Sequence, residues 1–170
     1  RAWIVSALWI VAGPFGATAL EEDLPWVAAG ILASAGFPRL TVLDVPFNIL
    51  RRHEFDEDLR LIAGAQQLAV TPSHALEHGF LAGRHRTRSK GALSVRGAQL
   101  AASLNRRGTR TLRALDAVGA ELGVPDAAVA VAWLLAQKLV SAPIVNAYAP
   151  QHVEELVQGV GVRLSRAQLA

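Results

Sequence analysis

The chain contains no cysteine and no methionine. Without thiols there is no disulfide framework and no thiolate metal centre, a composition that fits the cytosol. Translation starts at methionine, so a chain that begins at Arg1 and has none is expected to be processed, trimmed or excerpted, with sequence missing upstream. No low-complexity segment or short tandem repeat occurs, and 52% apolar residues exclude a disordered chain. Between Ala2 and Leu20 there is no charge. That run has two readings: a signal peptide or short membrane anchor, or a buried parallel strand in "AWIVSAL" followed by a turn at "AGPFG". Gly13-Pro14 interrupts it near the middle and one positive charge precedes it. The strand reading is preferred, and no membrane association is expected.

Four short apolar runs read as strands, at residues 2–7, 40–45, 68–71 and 142–145, each followed by a loop and helical sequence. The helix expected at residues 21–35 opens with acids, which favour the positive end of the helix dipole, and stops before Gly36. A second, at residues 54–65, places Phe55, Leu59 and Ile62 at helical spacing. Leu112, Leu115, Val118 and Leu122 form the stripe of a third, closed by Gly123. Pro125 opens a fourth, whose "AAVAVAWLLA" is apolar all round and so deeply buried; Pro150 opens the last, through Gln158.

This order is βαβαβαβα with a long excursion after the third strand. Alternating strands and helices require a parallel sheet with right-handed crossovers. Four such units make half of a TIM-type (β/α)8 barrel, which needs about 250 residues when complete. Residues 1–170 are therefore expected to be one partial α/β domain, with open strand edges that invite self-association. A doubly wound sheet lacks support, because no G-x-G-x-x-G follows the first strand.

In α/β folds ligands bind at the carboxyl ends of strands, here the loops after Ser6, Asp44, Thr71 and Val145. The loop after Thr71 is the longest. From His78 to Leu115 there is no acid, yet Arg84, Arg86, Arg88, Lys90, Arg96, Arg106, Arg107, Arg110 and Arg113 all fall there. A solvated excursion, a nucleic-acid surface and a grip for a small polyanion compete. Nucleic-acid binding would want aromatic platforms, and no aromatic occurs between Phe80 and Trp133; no nucleic-acid partner is expected. For the polyanion, Gly79 and Gly83 would let backbone N–H groups approach phosphate, with Arg84 or Arg86 adding charge; this reading is favoured. His74, His78 and His85 do not make a persuasive metal site, because Pro72, Gly79 and Gly83 break the helix their spacing would need. His53 and His152 read as surface residues near helix starts.

The segments "VLDVPFNILRR", "GFLAGRHR", "AVAWLLAQ" and "APIVNAYAPQHVEEL" resemble, in order, the second half of an aldo-keto reductase. That family usually reads G-F-L-T-G-K-Y-R where "GFLAGRHR" stands. The resemblance implies the C-terminal half of a (β/α)8 barrel that transfers hydride from NADPH, or NADH, to an aldehyde or ketone. It implies that Ser6 and Asp44 lie beside the nicotinamide carboxamide, with Ala7 in place of the family's Asn and Asp44 in place of its Gln. Ser73 replaces the aromatic that stacks on the nicotinamide, with His74 beside it. Leu76, Gly79, Leu81 and Gly83 match the pyrophosphate loop, beside the Arg84 already read as a phosphate cation, and Gln151, His152 and Glu155 match the segment that reads the adenine and 2′-phosphate. There Tyr148 replaces an Arg and Leu156 an Asn. The family's proton-donating Tyr and its Lys, Asp and His partners come from the first half of the barrel, so no catalytic residue is assigned in this chain. A degenerate, non-catalytic relative that keeps the half-barrel for packing or for a partner is the second reading.

Overall fold

The computed structural model describes residues 41–86 and 97–170. The expected first strand, the helix at residues 21–35, the apolar run before it, Ser6, Ala7, Arg88, Lys90 and Arg96 lie outside the described residues.

Two strands, β1 (Val42–Pro46) and β2 (Ala69–Ser73), pair in parallel with Val42 opposite Ala69 and Pro46 opposite Ser73. Helix α1 (Glu57–Ala65) makes the crossover between them. Its start is specified locally: the Asp56 side chain accepts the Leu59 N–H at 2.9 Å, and Glu57 and Asp58 occupy the first turn. The helix begins three residues later than the periodicity predicts, because Arg52–Glu54 forms a separate 3-10 turn.

The fourth expected strand forms only in part. Val140 bridges Val70 in parallel, Ser141 N–H reaches the Val70 carbonyl at 2.8 Å, and Ile144 N–H reaches that of Pro72 at 2.8 Å. Pro72 and Pro143 face this seam without N–H groups, so a regular ladder cannot run through it.

Beyond β2 the chain builds α2 (Gly97–Ser103), α3 (Arg106–Leu122), α4 (Asp126–Leu135), α5 (Pro150–Gly161) and the short α6 (Arg166–Leu169). Asn105 caps α3 by accepting the Gly108 N–H at 2.9 Å, and Gly123 ends it in the left-handed region at φ 68°. In α4 every residue from Ala127 to Leu134 is buried, as its all-round apolarity predicts. α4 packs between α3 and α5. No single helix among the described residues is long and apolar enough to cross a membrane.

Among the described residues two apolar cores result. One joins the strands to α4 through Val45, Phe47, Phe55, Val70, Trp133 and Leu134, with the Phe47 and Phe55 rings edge to face at 5.4 Å. The other joins the loop after β2 to the helices: Phe80 and Leu81 insert among Leu100, Leu112, Leu115 and Val129. Fully burying each such side chain contributes about 1.5–3 kcal/mol. The apolar residues of "GFLAG" therefore anchor the loop at the carboxyl end of β2.

Candidate functional site

A cavity of about 720 Å³ opens where β2 ends, between the loop that follows it, the segment after Val140 and the start of α5. Of the residues expected to bind a cofactor, Ser73, His74, Leu76 and Gly79 line it from the loop, with Arg84 at the loop's far end. Tyr148, His152 and Glu155 line it from the α5 side. Residues more than sixty positions apart thus meet in one place. Leu156, where the resemblance expects an Asn, is there too.

Asp44, Leu81, Gly83 and Gln151 do not line the cavity. Asp44 is exposed on β1 opposite Thr71, Leu81 is fully buried in the second core, and Gln151 is exposed on α5. A Cβ on Gly83 would lie 2.5 Å from the Asp126 carboxylate, so that glycine answers to packing and to φ 71°. Ser6 lies outside the described residues.

The loop's backbone is unusual. His74 (φ 54°), Glu77 (φ 45°) and His78 (φ 57°) are non-glycine residues in the left-handed region, followed by Gly79 at φ 89°. Such residues cost on the order of 1–3 kcal/mol each and persist only where the surroundings over-determine them. The surroundings here are a buried polar cluster. Glu77, 4% exposed, accepts from Arg51 Nε at 2.7 Å, Arg51 Nη2 at 3.0 Å and Asn48 Nδ2 at 2.8 Å. Asn48, fully buried, also donates to the His74 carbonyl at 2.8 Å and accepts the Leu50 and Arg51 N–H groups at 2.8 and 3.0 Å. Burial alone would raise the Glu77 pKa; the Arg51 fork and the Asn48 amide, with the charges of Arg51 and His78, bring it below the usual carboxylate value.

The structure corrects the amide cradle expected for phosphate. Gly79 and Leu81 N–H both bond the Leu76 carbonyl, at 3.0 and 3.1 Å, and Gly83 N–H bonds that of Phe80 at 3.0 Å. These groups are spent on folding the loop into tight turns. Arg86 is corrected as well. It does not line the cavity but binds Asp116 at 2.6 and 2.7 Å and Asp126 at 2.6 Å. Among the described residues the arginine lining the cavity is Arg84, which pairs with Glu155 at 2.6 Å and contacts the His152 ring.

Four of the five histidines line the cavity: His74, His78, His85 and His152. His152 is half-buried there rather than a surface residue, and its Nδ1 accepts the Tyr148 N–H at 3.2 Å. His53 is exposed, as expected. The His74 and His78 rings meet edge to face at 4.8 Å, and among the described residues buried His85 Nδ1 has no hydrogen-bond partner. Among the described residues no group of three His, Asp or Glu side chains is close enough to hold a metal ion.

Sequence reasoning missed the Asn48–Arg51–Glu77 cluster. One signal was available: Asn48 is the single polar residue in the apolar run from Val45 to Leu50, and a buried amide must find partners.

The sequence pattern of the Aldo/keto reductase family matches residues 22–170. Among solved structures, a thermostable aldo-keto reductase in complex with the inhibitor epalrestat matches with a TM-score of 0.55 at 18% identity. The match covers 82% of this chain and 41% of that one. At this identity the likeness shows the fold: the parallel strands and helices are part of a TIM-type barrel, and the chain spans less than half the length of the solved protein.

Proposed function

This chain belongs to the aldo/keto reductase family, and on that premise we propose that it is the cofactor-binding half of an oxidoreductase that reduces an aldehyde or ketone with NAD(P)H. The observation that carries the proposal is the cavity of about 720 Å³ at the carboxyl end of β2. It has the size of a small-molecule site and brings one cation, four imidazoles and an apolar wall together. Side chains rather than loop amides would hold the dinucleotide. Arg84 would share its guanidinium between Glu155 and phosphate, His152 would sit beside them, and Ser73, His74 and Leu76 would contact the remainder. NADP is the first expectation and NAD the second, since Tyr148 stands where an Arg would favour the 2′-phosphate.

When bound, the cofactor supplies the hydride, and this chain's residues bind and orient it. Tyr148, the only tyrosine, is 79% exposed at the cavity and is not assigned as the proton donor. The same reading takes residues 1–170 as one partial domain acting in the cytoplasm on a small carbonyl compound. Self-association through the open strand edges would cover them.

A second reading, a non-catalytic relative, is favoured by two specific observations. The Gly79, Leu81 and Gly83 amides are already bonded, and Arg84 is already paired. Titration of NADPH followed by its fluorescence separates the two. Saturation in the micromolar range supports the reductase, and no binding up to millimolar supports the relic.

A further inference from the structure

Glu77 is not among the residues lining the cavity; besides a 3.5 Å contact from Ser103 Oγ, its carboxylate is held by Asn48 and Arg51, and its neighbours His74, Leu76, His78 and Gly79 line the wall. Residues 74–79 carry three non-glycine left-handed conformations, at His74, Glu77 and His78. Two of these belong to the residues whose rings meet at 4.8 Å on the cavity wall. Asn48 ties both ends of the strained stretch, through the His74 carbonyl and the Glu77 carboxylate, each at 2.8 Å. Arg51 grips the same carboxylate with two N–H groups at 2.7 and 3.0 Å, a planar fork that fixes direction as well as distance. Asn48 is itself immobilised by the two backbone N–H groups its oxygen accepts. The bracket thus runs from the end of β1 to the cavity wall.

We propose that Glu77, gripped by Arg51 and Asn48, is a positioning residue that sets the His74 and His78 rings against the cavity and so governs its affinity for the nicotinamide dinucleotide. The affinity part rests on the reductase reading; the placement of the rings does not.

The test uses the full chain with Glu77→Gln, Arg51→Lys and, as a control for general loss of stability, Leu134→Val in the first core. Two readouts are taken: the NADPH dissociation constant, and the ring NMR signals of the five histidines, including the proton contact between His74 and His78. Glu77→Gln is expected to shift the His74 and His78 ring signals, leave His53 unchanged, and weaken NADPH binding about tenfold. Arg51→Lys, which keeps the charge and loses the fork, is expected to do the same to a smaller degree. Leu134→Val at a matched loss of melting temperature is expected to do neither. The proposal is overturned if Glu77→Gln leaves both rings where they are, or if Leu134→Val moves them equally. Should Glu77→Gln fail to fold, Arg51→Lys decides on the same signals. Should the wild type not bind NADPH, the reductase reading falls while the ring signals still decide the bracket.

Discussion

Two arginines flank the loop of residues 74–86, and they are used in opposite ways. Arg51 reaches inward to Glu77, whose side chain is 5% exposed; Arg86 lies outside and binds Asp116, 46% exposed, together with Asp126. Each cluster contains a carboxylate that burial pushes toward the neutral form, and the outcomes differ. Glu77 receives both arms of the Arg51 fork and the Asn48 amide, and ends below its usual pKa. Asp126 shares Arg86 with Asp116. There burial and the neighbouring Asp116 charge outweigh Arg86, and its pKa rises despite a contact of 2.6 Å. Here a close cation does not by itself set the direction of the shift: the acid that receives three N–H donors is lowered, and the one that shares its cation with a second carboxylate is raised.

That contrast can be broken experimentally. The largest effect is expected for Glu77→Ala, which strands Arg51 and Asn48 and should cost about 3 kcal/mol in denaturant unfolding. Because the folded-state pKa of Glu77 is lowered, its contribution is complete above the ordinary carboxylate value and is lost as pH falls through the lowered one. Stability curves of wild type and variant should therefore converge in acid, and a gap that widened there would refute the sign. Next comes Gly79→Val. The φ of 89° there excludes a β-branched residue at a cost of about 1–3 kcal/mol, although a Cβ would meet nothing closer than the His85 ring at 3.8 Å. It should impair NADPH binding more than His78→Ala does, and the reverse order would count against the loop's role. The smallest effect is expected for Arg86→Ala. Its pair with exposed Asp116 should be worth about 1 kcal/mol or less, and the loss of the contact to the partly buried Asp126 adds a modest further cost, with NADPH affinity unchanged.

The loop also marks the boundary of what could be read beforehand. The end of α3 at Gly123 and the deep burial of α4 follow from local rules, since a left-handed cap and an all-apolar helix have few alternatives. The parallel pairing of β1 and β2 follows from the helix between them. The strand at residues 142–145 was legible as an apolar run, but its ladder depended on which residues of β2 it would face, and those include Pro72. Arg84 was named from the basic loop and His152 and Glu155 on resemblance, and the structure brings Arg84 and Glu155 together across 71 positions. The role given to the Gly79 and Gly83 amides failed because glycine spacing is compatible both with binding an anion and with closing a tight turn. Only the hydrogen-bond partners distinguish the two.

By itself the sequence determined the β1–α1–β2 unit, the helices that follow, the caps and the membership in a barrel family, because these rest on periodicity and on residues adjacent in the chain. Tertiary structure alone decided that Arg51 would turn inward and Arg86 outward, that four histidines would share one cavity, and that Glu77 would be buried in a strained backbone. Those outcomes depend on which distant groups meet in a low-dielectric interior, where an acid is kept charged by partners that no local pattern names.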